Sequence, residues 1–162
     1  MIIATHLLVR SSYSMLKGTM SVKKIVSKAK ELGYSAVALS DFHVLHGALE
    51  FQLEAEKQSL KPIFGMEITF DFMGVNFQSL LIAKNNKGYQ HLMKLSFELS
   101  KGGSIDLAQA YSDSIFLIVF SENGPFEHYL LGDDWESIEL MMNGIKDIFF
   151  FFKRYRICTT FG

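Results

Sequence analysis

The feature that most restricts this chain is an alternation of hydrophobic period. Short runs rich in β-branched and aromatic residues are followed by longer stretches whose apolar residues recur at three and four positions. The runs that read as strands are Ile2–Val9, Ala36–Ser40, Pro62–Phe70, Phe77–Ala83 and Ile115–Phe120. Between the first two, Ser21–Leu32 places Val22, Ile25, Val26, Ala29 and Leu32 on one helical face, with Ser21 suited to cap its start and Gly33 to end it. Gly47–Leu60 carries Leu49, Leu53 and Leu60 among charged residues and stops just ahead of Pro62, which cannot continue a helix. Gly88–Lys101 and Asp133–Ile148 read as two further helices. Strands joined through helices imply an α/β fold with a largely parallel sheet, because parallel neighbours need a crossover of about a dozen residues. Ligands of such folds gather at loops beyond the carboxyl ends of strands, here Arg10–Thr19, Asp41–His46, Glu67 and Ser121–Pro125.

A chain of 162 residues fits one such domain. Its charge, 16 basic against 17 acidic residues, excludes the bulk cationic field that drives non-specific binding to nucleic acid or anionic membrane. Any partner surface must therefore be local. The longest apolar runs, Ile115–Phe120 and Ile148–Phe152, fall far short of the roughly 20 residues of a membrane helix, so no membrane partner is expected. The start has no basic segment ahead of an apolar stretch, and the single cysteine, Cys158, fits a reducing compartment. Both point to the cytoplasm.

Residues 1–148 keep the pattern, whereas 149–162 depart from it. Phe149–Phe152 run straight into Lys153, Arg154, Tyr155 and Arg156, and the end has no periodicity. The four phenylalanines read either as a buried strand or as a point where the reading frame slipped or the chain was truncated, leaving a non-native tail.

Few residues carry chemistry. Lys101-Gly102-Gly103-Ser104 lacks the rest of a phosphate-binding loop and reads as a turn. His43 and His46 stand three apart beside Asp41, and imidazole with carboxylate suits a divalent metal. The plainer reading makes both histidines loop residues and Asp41 the cap of the helix near Gly47. His6 reads as an interior hydrogen-bonded residue, and His91 and His128 as helix-surface residues. Glu67 is the most informative single charge: a carboxylate within Ile63-Phe64-Gly65-Met66-Glu67, at a strand end, must face a cation or hydrogen-bond donors.

Several blocks taken together, His6–Gly18, Ala29–Gly33, Ala36–Asp41, Gly47–Phe51, Lys61–Glu67, Leu81–Asn85, Gly88-Tyr89 and Leu92–Ser96, closely resemble the PHP (polymerase and histidinol phosphatase) domain that opens the alpha subunits of bacterial DNA polymerase III. The match fades after about Asp147. The resemblance implies a PHP-type distorted barrel of seven βα units, incomplete at its C-terminal end here, with a metal cleft at the carboxyl ends of its strands. It also implies a part in DNA replication within a DNA-directed DNA polymerase, a nucleotidyltransferase. The implied partners are the remainder of the alpha subunit and the replisome, with DNA reached only through the full-length polymerase.

Family members with an intact cleft resemble trinuclear metal phosphoesterases and can act as 3′–5′ exonucleases, which is the alternative function. The departures argue against it. Leu8 and Arg10 stand where the resemblance places a His-x-His pair, Lys17 where it places an acid, and Phe42, Gln78 and Asn123 where it places two histidines and a cysteine. Asp41 and Glu67 remain as ligand-type residues, with His43 and His46 as weak candidates. No catalytic residue and no cofactor are expected; a divalent ion such as Mn²⁺, Zn²⁺ or Mg²⁺ enters only under the alternative. Arg10 and Lys17 are expected to replace the metal's charge by pairing with Asp41 and Glu67.

Overall fold

A computed structural model describes residues 5–72, 74–102, 105–110, 112–120, 124 and 126–148. Elements follow in the order α1 (Val22–Glu31), β1 (Ala36–Phe42), α2 (Ala48–Lys57), β2 (Lys61–Phe72), β3 (Val75–Ala83), α3 (Asn86–Ser100), β4 (Ile105–Asp106), α4 (Leu107–Ala110), β5 (Ile115–Val119), α5 (Glu127–Leu130) and α6 (Trp135–Ile148). The α/β class holds, but the sheet is mixed. β1 and β4 pair parallel with β2, while β3 pairs antiparallel with both β2 and β5. The cause is connection length: β2 and β3 meet across residues 73–74, with Gly74 at φ +78°, and so short a link makes a hairpin, not a crossover.

The segment expected as a first strand, Ile2–Val9, forms no ladder over its described residues 5–9. Among the described residues, the hydrogen bonds of Val9 to β1 all go to Ser40. Ser40 N–H donates to the Val9 carbonyl at 2.9 Å, and Ser40 Oγ accepts from Val9 N–H at 2.8 Å. A side chain thus takes the place a neighbouring carbonyl would hold in a ladder. β4, α4 and α5 are too short to show a period, which is why the sequence reading passes over them.

Ser21 caps α1 through its side chain to Lys24 N–H. Val22, Ile25, Val26 and Ala29 then bury against Val37 and Leu39 of β1 and Phe51 and Ala55 of α2. A second cluster sets Met66, Ile68 and Phe70 of β2 and Phe77 and Leu81 of β3 against Leu92 and Leu95 of α3 and Met141 and Ile145 of α6. Gly88 lets α3 sit close to the sheet, since a Cβ there would lie 2.1 Å from the Ser114 carbonyl oxygen. With the even-numbered residues of β2 under the helices, alternation turns Gly65, Glu67 and Thr69 to the opposite face. Their partners across the hairpin are Ile82, Leu80 and Gln78. Among the described residues no helix is long and apolar enough to cross a membrane.

Candidate functional site

The end of β1 gathers most of the candidate residues: Phe42 pairs with Glu67 on the face turned away from the helices, while Asp41 pairs with Met66 and so lies on the helix side. Glu67 lies mid-strand in β2, not at a strand end as the sequence suggests. It is fully buried, and Arg10 reaches it from the segment beside β1. The pair is bidentate: Arg10 Nε donates to Oε2 at 2.5 Å and Nη2 to Oε1 at 2.9 Å. A planar guanidinium matches a carboxylate edge in this way, and both oxygens of Glu67 are taken.

Asp41, 1% exposed, is filled differently. Its Oδ1 accepts from Ser11 N–H at 2.6 Å and from Ser14 Oγ at 2.5 Å, and its Oδ2 accepts from Ser11 Oγ at 2.7 Å. Ser14 Oγ in turn accepts from Phe42 N–H at 2.9 Å. The carboxylate thereby clamps the loop after Arg10, which Ser14 closes by accepting from Lys17 N–H and Gly18 N–H. Glycine is required at 18 because a Cβ would lie 2.2 Å from the Ser11 carbonyl oxygen. Asp41 does not cap α2, whose N-cap Gly47 makes no side-chain bond.

The expected pairing of Lys17 with a carboxylate is corrected by the structure. Lys17 Nζ lies 3.3 Å from the centroid of the Phe42 ring, a cation–π contact. Phe42 also stacks on His43, with centroids 3.8 Å apart and planes 15° apart. Lys17 and Phe42, which the resemblance places at positions of an acid and a histidine, therefore contact each other.

His43 plays a part the sequence does not announce. At φ +62° it leaves β1, and its N–H donates to the Glu67 carbonyl at 2.8 Å while its Nε2 accepts from Thr69 N–H at 3.1 Å. β1 stops at Glu67 and β4 starts at Phe70, so the imidazole satisfies the stretch of β2 edge between them. Ser96 Oγ of α3 donates to the His43 carbonyl at 2.9 Å. This geometry needs a neutral ring with Nε2 unprotonated. Burial first, and then the charge of Lys17, hold the imidazole below its ordinary value, against a smaller opposing pull from Glu67. As pH falls below about 6.5 the unfolded chain takes the proton first, so this contribution is complete above that pH and is lost as pH falls toward the depressed folded value. Melting curves between pH 5 and 8 are expected to show the stability gap between wild type and His43→Gln widening from pH 5 to 7 and levelling off above. A gap independent of pH would refute this.

His46 is exposed and meets Tyr13 edge-on, with ring centroids 6.5 Å apart. His6 is exposed too, not interior, with its ring 5.8 Å from Tyr34. His91 is half-buried, with Nε2 3.2 Å from the Ala110 carbonyl oxygen. Leu8 is largely exposed, and Gln78 faces Thr69 across the hairpin. Asn123, Cys158, most of the loop at Ser121–Pro125, Gly103-Ser104, the His128 side chain and the tail 149–162 lie outside the described residues.

The donor set does not fit a divalent ion. Both carboxylates have every oxygen occupied by protein donors, the imidazole of His43 is taken by Thr69, and among the described residues no group of three His, Cys, Asp or Glu could hold a metal.

The PHP domain pattern matches residues 6–155. The chain is 37% identical over 139 residues to the DNA polymerase III subunit alpha of Bacillus subtilis (strain 168), covering 82% of this chain and 12% of that protein. It is 37% identical over 152 residues to the subunit of the same name from Halalkalibacterium halodurans, covering 89% of this chain and 14% of the relative. The chain thus spans about an eighth of the length of these curated relatives. Among solved structures, an amidohydrolase from Chromobacterium violaceum superposes with a TM-score of 0.52 at 15% identity, over 60% of this chain and 34% of that one, a likeness of fold.

Proposed function

The chain belongs to the PHP domain family, and from that premise we propose that it is the PHP region of a replicative DNA polymerase III alpha subunit, acting as a structural module with its metal cleft closed by its own side chains. One observation carries the proposal: Glu67 and Asp41 are saturated by Arg10, Ser11 and Ser14. Arg10 supplies a fixed charge where a metal-bearing relative would place ions, and Lys17 brings a second cation to the same mouth by resting on Phe42. The mixed sheet is then the opening part of the family's distorted barrel, in a PHP unit that runs past residue 148 into the tail, since the family pattern matches residues 6–155. DNA-directed DNA synthesis, in the cytoplasm, belongs to the remainder of the alpha subunit and its replisome.

Elemental analysis of the purified protein, paired with melting temperature with and without excess Mn²⁺ or Zn²⁺, tests the reading. Substoichiometric metal and an unchanged melting temperature are expected, because an ion that binds only the folded state must raise its stability. Two or more tightly held ions per chain, or phosphoesterase activity that they restore, would overturn it.

A further inference from the structure

The near-zero net charge hides a strong polarity along the chain. Residues 1–35 hold six basic residues and one acidic, a net of +5, while the remaining residues hold ten basic and sixteen acidic, a net of −6. Of the six, Arg10 is engaged by Glu67, Lys17 by the Phe42 ring and Lys28 by Glu31 at 2.8 Å. The charge of Lys23 is felt by Glu54 of α2 without an ion pair. Lys24 and Lys30 have no side-chain hydrogen bond or ion pair among the described residues.

The fold uses these lysines only in part: Lys30 lies in the last turn of α1, where a cation suits the helix dipole, and Lys23 acts on Glu54, while Lys24 has no such role among the described residues. α1 is held by its buried face and its Ser21 cap, and a first turn selected for stability would favour acids, whereas this one has none and carries Lys23 and Lys24. Every exposed position of α1 is polar: Lys23, Lys24, Ser27, Lys28, Lys30 and Glu31. That composition selects among polyanions. Insertion into a lipid surface needs the helix's apolar face, which α1 buries in the protein core. A protein partner would favour an aromatic or apolar anchor, and the exposed positions within α1 itself offer none, the exposed Leu32 standing just past its end and Leu49 and Leu53 on the neighbouring α2. What remains is a sequence-independent row of point charges about 10 Å long from Lys23 to Lys30, suited to a duplex backbone that carries a charge every ~1.7 Å.

We propose that the outer face of α1, through Lys23, Lys24 and Lys30, contacts the phosphate backbone of duplex DNA. The contact reads no bases and adds to the hold of the longer polymerase on its template; it rests on the reading of the chain as part of a replicative polymerase, which brings the duplex to it. The experiment is fluorescence anisotropy of the whole chain with a labelled 30-base-pair duplex at 25–200 mM salt, in chelator throughout. A metal in the cleft, which would overturn the preceding reading, therefore leaves this result untouched.

Lys23→Gln/Lys24→Gln/Lys30→Gln is expected to lose tenfold or more in affinity at the lowest salt. Its log–log salt slope should be shallower by roughly 2.7, about 0.9 per phosphate contact removed. Lys87→Gln/Lys94→Gln/Lys146→Gln, three exposed lysines elsewhere, should bind within about twofold of wild type. Melting curves check folding, and Lys24→Gln/Lys30→Gln stands in if the triple variant fails to fold. No binding at 25 mM salt, equal loss in both triple variants, or α1-dependent binding to phosphatidylserine vesicles without binding to the duplex would each overturn the proposal.

Discussion

Arg10→Met is expected to destabilise the fold by about 3 kcal/mol, the lower end of the 3–5 kcal/mol typical of removing one partner from a buried ion pair. The Arg10 side chain is 31% exposed, so solvent already screens part of its interaction, while Glu67 is fully buried and has no water to fall back on. The loss comes chiefly from stranding the carboxylate between Leu80 and Phe42, its neighbours in register on either side. Removing both partners tells a different story. Arg10→Met/Glu67→Leu leaves neither charge in the cleft and is expected to recover to within about 1 kcal/mol of wild type, because an apolar replacement of a buried pair is often neutral. Urea denaturation of the four members of the cycle should therefore give a coupling energy of at least about 2 kcal/mol. Strict additivity would mean that the two side chains do not depend on each other, and the charge-replacement reading would fall with it.

How far the sequence leads differs from residue to residue. Glu67 is legible because physics makes a demand there: a carboxylate in an apolar run must be matched. That its match is Arg10, 57 positions away, follows only from the resemblance, which puts Arg10 at a lost ligand position. The clamp on Asp41 is not legible at all. Serine is common in loops, and nothing local links Ser11 and Ser14 to a residue 27–30 positions on. His43 is missed for a related reason, since a histidine at positive φ leaves no mark in a sequence as a glycine would, and its imidazole imitates a backbone acceptor. The hairpin is the instructive error. Pro62–Phe70 and Phe77–Ala83 are separated by six residues, too few for a crossover, so the antiparallel pair could have been read from spacing alone.

Asp41→Ala separates the two possible meanings of a surviving acidic residue. If Asp41 is a clamp, the substitution strips three donors of a charged acceptor, and the Ser11 N–H, which cannot rotate to find another, is left buried. The Ser hydroxyls can turn elsewhere, which limits the cost to about 2–4 kcal/mol, or a fall in Tm of roughly 5–10 °C for a domain of this size. The effect should be local before it is global. Hydrogen exchange at the amides of Ser14, Lys17 and Gly18, which bond within the clamped loop, should speed up at temperatures where α3 is still protected. Asp41→Asn, which keeps one oxygen acceptor, should fall between wild type and alanine. A metal ligand behaves otherwise: its removal costs stability only in the loaded protein, and a chelator brings wild type down to the variant. Equal losses with and without chelator are therefore what the clamp requires. A loss confined to metal-loaded samples would make Asp41 a metal ligand and overturn the clamp.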